Sequence, residues 1–421
     1  MIKINEDNKK FVDEFIRDFL RRMETLEDVK KYTKAEIVLY ISEILGTKYE
    51  SESLIKLCNN LIEELVNEIE ENKLQIRGIF SDLGVFAFAV NNIHKKTKDL
   101  ENLTVNLNEI LLDYGNSIVS IQKLRKVSMG DYDCISGVSG ILYYLLDTDI
   151  NKLDKEKLNN LIEYLIWLTG THEYRGHEVI NFHIENEMLF RDDERDEFKN
   201  GNINFGLAHG MSGVLAALLK LYEMEFYDGK DTLLNAIDTI FNLYEEFENI
   251  VEGIPHYPRQ LDFGNYINNI KDENYNNGSW CYGNISNVLV LFKGSKLLNW
   301  KNRYLKYNDY LKNIINQDIR GYLLGLSVLC HGYASIISEQ LSLYEETKDE
   351  TFIRTVDRNL KATINSYLSN NKYYSELENI DLNSEDALID IQGHKDDFTL
   401  LCGMGGIFLS MLYSTNQTDV V

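Results

Sequence analysis

Cys330 and His331 are adjacent, and Gly332 follows them. A second cysteine stands in Trp280-Cys281-Tyr282-Gly283, so Cys281 and Cys330 both lie two residues before a glycine. Two thiolates and one imidazole converging on one point leave a fourth position open. Catalytic zinc is held in that way, whereas structural zinc is usually closed by four ligands. The run Gly206-Leu207-Ala208-His209-Gly210 gives His209 the offset from Gly210 that His331 has from Gly332. An imidazole there titrates near neutrality, which makes His209 a candidate general acid or base. Asp133 lies four residues before Gly137. It is a second proton-transfer candidate or, more plainly, a helix N-cap beside Ser136. Tyr282 adjoins the first candidate ligand; its hydroxyl can donate to a carbonyl, or its ring can simply pack.

Other residues of these types carry less. Cys58 is expected to be a small core residue. Cys402 is one residue before Gly403, not two, and is also expected in the core. His172, His177 and His183 share no metal-type spacing and are expected to be solvated.

The glycines mark the elements that must position these side chains. Only two prolines occur, Pro255 and Pro258, which fits a mostly helical chain because proline breaks helix interiors. Helical periodicity is clear over Leu153–Leu168, Leu233–Phe247 and Phe352–Leu368. Between such windows lie segments that begin with a small residue and continue apolar. They start at Ala35, Gly84, Gly137, Gly210, Gly283, Gly332 and Gly403, roughly 50 to 75 residues apart. The expected architecture is an array of helical hairpins, seven apolar inner helices and an amphipathic outer set, closing as an α/α toroid over residues 1–421. Each unit of such an array needs only its neighbours, so it escapes the size at which single cores split, about 250–300 residues. Two regions break the pattern, around 173–203 and 249–279. The first contains Val179–Ile184, whose alternation predicts a strand. Together they are expected to form a small mixed extension.

The net charge is −24. That argues against nucleic acid as a partner, since phosphate binding needs a basic surface, and it suits a cationic peptide. Met1–Lys30 reads as an amphipathic helix with Phe11, Phe15, Phe19 and Leu20 on one side. No stretch approaches the roughly 20 apolar residues of a membrane span. Five cysteines, an odd number, argue against a disulfide framework and for a cytoplasmic chain.

Trp280-Cys281-Tyr282-Gly283, Cys330-His331-Gly332 and Gly206-Leu207-Ala208-His209-Gly210 resemble three signature motifs of the lanthionine synthetase C-like family, the cyclases of class I lanthipeptide pathways. Tyr132-Asp133 ahead of Gly137-Val138-Ser139-Gly140 is similar to a further family motif. The resemblance runs from about Tyr32 to Leu412. It implies a toroid of seven inner and seven outer helices with an SH2-like extension. It implies one zinc per chain on Cys281, Cys330 and His331, with His209 and Asp133 in proton transfer and Tyr282 at the site. The activity implied is Michael-type addition of precursor-peptide cysteine thiolates to dehydroalanine or dehydrobutyrine, forming (methyl)lanthionine rings. The partners implied are a dehydrated lanthipeptide precursor, leader plus core, a lanthipeptide dehydratase, and an ABC transporter at the inner face of the membrane. Two positions depart from the family. Asn277 stands where an arginine is usual, and Ile285-Ser286 where Pro-Gly is usual. A degenerate zinc protein that binds a leader peptide or thiol without closing rings is the first alternative. A glycosidase on a similar toroid is the second, but it needs a carboxylate pair, and the helix starts offer Asp133 alone.

Overall fold

The computed structural model describes residues 4–25, 34–271, 276–368 and 397–418. Fourteen helices of eight residues or more occur among them. In chain order they are α1 (Glu6–Glu24), α2 (Lys34–Ile44), α3 (Glu52–Glu70), α4 (Asp82–Thr97), α5 (Glu101–Gln122), α6 (Val138–Leu145) and α7 (Lys155–Trp167). They continue as α8 (Met211–Glu223), α9 (Lys230–Phe247), α10 (Asn284–Leu297), α11 (Lys301–Asn316), α12 (Tyr333–Thr347), α13 (Val356–Leu368) and α14 (Met404–Thr418). Every expected glycine-type start opens one of the even-numbered helices. The windows read from periodicity correspond to α7, α9 and α13.

The chain divides into two compact units. The first comprises Met1–Leu74, Asn277–Trp280 and Leu311–Val421. In it α12 packs on α14 and α14 on α2, while α3 and α13 cover α2 and α12. Helix α1 begins where Asn5 accepts a hydrogen bond from the Asp7 amide, and it carries Glu6 and Asp7 at its start and Arg21 and Arg22 at its end. Charges of those signs complement the helix dipole. Val12, Phe15, Ile16, Phe19 and Leu20 are buried, and the Phe19 ring stacks on Phe408 with centroids 4.3 Å apart. Phe11 is only half-buried. The expected helix thus forms over Glu6–Glu24, and residues 26–30 lie outside the described ones.

The second unit comprises Gln75–Asn276 and Cys281–Tyr310. Here α6 packs on α8 and α8 on α10, with α5, α7 and α9 as the hairpin partners of α4, α6 and α8. The two kinds of helix differ as expected. Helix α8 is buried on nearly all sides, whereas α9 buries Leu233, Ala236, Ile237, Ile240, Phe241 and Tyr244, a spacing of one helical face.

The two irregular regions carry three small antiparallel sheets, all within this unit. Strands β1 (Thr171–Tyr174) and β2 (His177–Ile180) form one hairpin, and β4 (Asn249–Val251) and β5 (Ile254–His256) another. Both loops are two residues long with positive φ, Arg175-Gly176 and Glu252-Gly253, the geometry that matches strand twist. Strand β3 (Asn202–Asn204) pairs with β6 (Gln260–Asp262), so the two segments are joined. The strand expected over Val179–Ile184 stops at Ile180. Asn181 turns its amide to the Trp167 carbonyl, 2.8 Å away, and Ile184 instead meets Asn202. Residues 179–184 are all buried, so their alternation does not mark an in-and-out strand.

Candidate active site

Local crowding of backbone explains the helix starts. The caps at Gly137, Gly210 and Gly332 are extended, a conformation open to any residue. Space is what selects glycine. A Cβ on Gly210 would come within 2.5 Å of the Asn204 carbonyl oxygen, and one on Gly332 within 2.5 Å of the Val328 carbonyl oxygen. The residues just before these buried glycines, His209, Cys330 and His331, therefore stand at fixed points and are half-buried there. Cys281 is half-buried as well.

In the second unit the loops are knitted together. The Cys281 carbonyl accepts hydrogen bonds from the amides of Leu207 (2.9 Å) and Ala208 (3.2 Å), and the Cys134 amide donates to Ala208 (3.0 Å). Asp133 is 1% exposed. Its Oδ1 accepts from the Ser136 and Gly137 amides at 2.7 and 2.8 Å, and its Oδ2 faces His209 Nδ1 at 2.6 Å. The N-cap reading of Asp133 holds for one oxygen, and the other oxygen holds the His209 imidazole. A carboxylate only accepts, so Nδ1 carries the proton and Nε2 is the nitrogen left for chemistry.

Tyr282 lies 6.1 Å from His209 between ring centroids. Its hydroxyl accepts from Asn204 Nδ2 at 3.1 Å. Burial pushes the phenol up to about 12, the Asn204 bond opposing the shift, so the group stays a protonated donor at neutral pH. Asn204 is fully buried, and its Oδ1 also accepts from the Gly206 amide at 2.9 Å. It holds the His209 loop and Tyr282 at once. Sequence reasoning missed it, although Asn two residues before Gly is the spacing of an Asx-turn. Asn276 was missed as well: it accepts from the Tyr257 amide at 2.5 Å and donates to the Tyr282 carbonyl at 3.4 Å.

Cys330 and His331 belong to the first unit. There the Cys330 amide donates to the Leu401 carbonyl (2.9 Å) and the Tyr333 amide to that of Leu326 (2.9 Å), which fixes the start of α12. Asn277, also in this unit, accepts from the Ser279 hydroxyl at 2.6 Å and amide at 3.2 Å, closing a tight turn ahead of Trp280. Ile285 and Ser286 are buried in the first turn of α10, so the missing Pro-Gly leaves that helix intact. Cys58 is buried as expected, and burial pushes its thiol up to about 12. Cys402 is half-buried. His183, expected to be solvated, is 2% exposed among the rings of Tyr174 and Phe263.

Among the described residues, no group of three or more His, Cys, Asp or Glu side chains could hold a metal ion. Cys281 lies in the second unit and Cys330 and His331 in the first. Two thiols and one imidazole are donors of a chemistry that suits zinc.

Helical hairpins with glycine-crowded starts, Cys and His at fixed offsets from those glycines, and a small extension define a class. The family model for lanthionine synthetase C-like protein matches residues 37–420, and the chain belongs to that family. Among its relatives is the nisin biosynthesis protein NisC of Lactococcus lactis subsp. lactis, 26% identical over 400 residues, which span 91% of this chain and 85% of NisC. The solved structure of nisin cyclase matches with a TM-score of 0.75 at 21% identity, covering 99% of this chain and 95% of the other. That likeness carries the fold class read from the sequence, the all-α, α/α-toroid class with small sheets.

Proposed function

We propose that this chain is a zinc-dependent lanthionine cyclase of lantibiotic biosynthesis, acting on a dehydrated precursor peptide. The observation that carries the reading is the buried Asp133 carboxyl, 2.6 Å from His209, set beside the tied loop of Cys281 and the Tyr282 hydroxyl. Cys281, Cys330 and His331 would hold the zinc, one per chain. Zinc bound there would lower the pKa of a peptide thiol and orient it as a thiolate.

The remaining steps fall to the chain's own residues. His209 Nε2 takes the proton of the peptide thiol. The sulfur adds to the β-carbon of dehydroalanine or dehydrobutyrine: a C–S bond forms, the C=C π bond breaks, and an enolate results. His209 then returns the proton to the α-carbon, so the balance closes. Asp133 orients His209 and stabilises its charged form, because both of its oxygens are already engaged. Tyr282 donates to the peptide carbonyl on which enolate charge develops.

Mass spectrometry of a dehydrated precursor after thiol alkylation tests the reading, since ring closure consumes thiols without changing mass. Thiols should become unalkylatable, and purified protein should carry one zinc, lost in the Cys281→Ala, Cys330→Ala double variant. Full alkylation with zinc present would favour instead a zinc protein that binds leader peptide or thiol without catalysis. Asn277 favours that second reading, since its side chain is committed to Ser279 and supplies no cation.

The proposal includes a dehydratase and an ABC transporter as partners at the inner face of the membrane. No helix among the described residues is long and apolar enough to cross one. It also includes a single domain. Both units should then unfold in one transition, whereas two separated transitions in calorimetry would show independent domains.

A further inference from the structure

Asn204 reaches the Tyr282 hydroxyl from the last position of β3, where pairing with Gln260 of β6 holds the backbone. Its side chain is fully buried among three groups. Oδ1 accepts from the Gly206 amide at 2.9 Å, while Nδ2 lies 3.1 Å from the Tyr282 hydroxyl and 3.5 Å from the Met129 sulfur.

These partners settle which end of the amide is which. A backbone N–H only donates, so the atom beside Gly206 is the oxygen. The atom beside Tyr282 is then the NH2, which has two protons and accepts nothing. One proton goes to the Met129 sulfur, a weak acceptor, and the other to the phenol oxygen. A phenol has a single proton of its own. With Asn204 donating to its oxygen, the Tyr282 O–H cannot point back at Asn204, and its proton is left for another partner. No other residue among those described hydrogen-bonds that hydroxyl.

The ring is held as closely as the rotor. A Cβ on Gly206 would come within 2.6 Å of Tyr282 Cδ1 and 2.7 Å of Cε1, so the ring edge lies directly against that glycine. The amide of the same glycine anchors Asn204. Ring and hydroxyl are thus referenced to one point of the chain, three residues ahead of His209, whose ring lies 6.1 Å from that of Tyr282.

We propose that Asn204 is the positioning residue of the Tyr282 donor: by donating to the phenol oxygen, it turns the hydroxyl proton outward, to the peptide carbonyl on which enolate charge develops. The proposal rests on the cyclase reading for the carbonyl it serves, and on the geometry alone for the direction of the bond. A donor aimed in advance need not reorganise as charge appears, and a hydroxyl that accepts one hydrogen bond donates the next more strongly.

The test replaces the donor and keeps the acceptor. In Asn204→Asp one oxygen still accepts from Gly206, and the other stands where Nδ2 was and takes the phenol proton; two donors favour its ionised form. At saturating dehydrated precursor, kcat for ring closure should fall on the order of 10²-fold, as in Tyr282→Phe, the scale of one lost transition-state donor. The double variant should be no slower than Tyr282→Phe, because Asn204 acts only through that hydroxyl. Losses that multiply would make Asn204 merely structural and overturn the proposal, as would Asn204→Asp closing rings at the wild-type rate. Asn204→Ser, shorter and neutral, serves in the same cycle where the Asp variant misfolds. A second readout needs no activity: with 3-fluorotyrosine placed at position 282, the fluorine resonance should move in Asn204→Asp, and an unmoved resonance overturns the proposal even where rings close. A resonance that moves in a chain whose wild type leaves every precursor thiol alkylatable would uphold the bond and sink the cyclase reading alone.

Discussion

His209 and His183 belong to the same unit, and each has one ring nitrogen held by an oxygen, yet they are built for different work. His209 is half-buried on a loop crowded against glycine, and its partner is a carboxylate with no exposure of its own. That partner fixes the proton on Nδ1. His183 is enclosed by Tyr174 and Phe263, and its partner is a neutral carbonyl. Nothing beside it compensates a positive charge except distant carboxylates, so burial keeps it neutral. One histidine is held by a carboxylate and the other by a carbonyl within a cage of rings.

The largest effect should come from His209→Asn. General acid–base groups contribute about 10²–10⁴-fold, so the rate of ring closure in the alkylation assay should fall by that order while zinc content stays the same. A variant that cyclises at the wild-type rate would reduce His209 to a structural residue and erase the contrast.

Asp133→Asn comes next and should act on both stability and rate. An amide in that buried position turns a donor towards the Ser136 or Gly137 amide, or towards His209. One buried group then loses its partner, at a cost of about 1–3 kcal/mol in urea unfolding. Cyclisation should fall as well, because His209 loses its orienting oxygen. Unchanged stability would mean that the carboxyl is not the cap the geometry describes.

The smallest effect concerns His183 and acid. Its folded-state pKa is depressed below the ordinary 6.5 by burial, while the unfolded chain titrates normally. Stability from this group is therefore complete above about pH 6.5 and is lost as pH falls below it. His256 is depressed by burial too and adds a slope of the same sign. Urea unfolding at pH 8 and pH 5.5 should show a smaller acid loss for His183→Asn than for the wild type. An equal acid loss in both proteins would assign the slope elsewhere.

The same two residues show what a sequence displays and what it hides. His209 was legible because it shares an offset from glycine with His331, and because every glycine-type start opens a buried helix. The periodic windows gave α7, α9 and α13 for the same reason: each buries one face at helical spacing. His183 has no such register. Its burial depends on Phe263, on a segment 80 residues away, brought close by the three-residue pairing of β3 with β6. Pairings that short leave no pattern in composition. Asp133 was legible as a helix cap, and only geometry showed that its second oxygen holds His209. Asn204 was hidden because its function is to hold other residues, not to react.

The crowded glycines have a consequence for variation. Where a single added methyl group would collide with main chain, the path of the loop cannot drift, and the residue just ahead of the glycine inherits a fixed address. What is displayed at that address is free to change. The chain already shows His209, His331 and Cys402 at such points, on loops whose amides and carbonyls pair without regard to the side chain. A scaffold of this kind separates where a group is presented from which group it is. Libraries restricted to His209 and His331, each half-buried and just ahead of a crowded glycine, would therefore vary the presented group while the path of the loop is held.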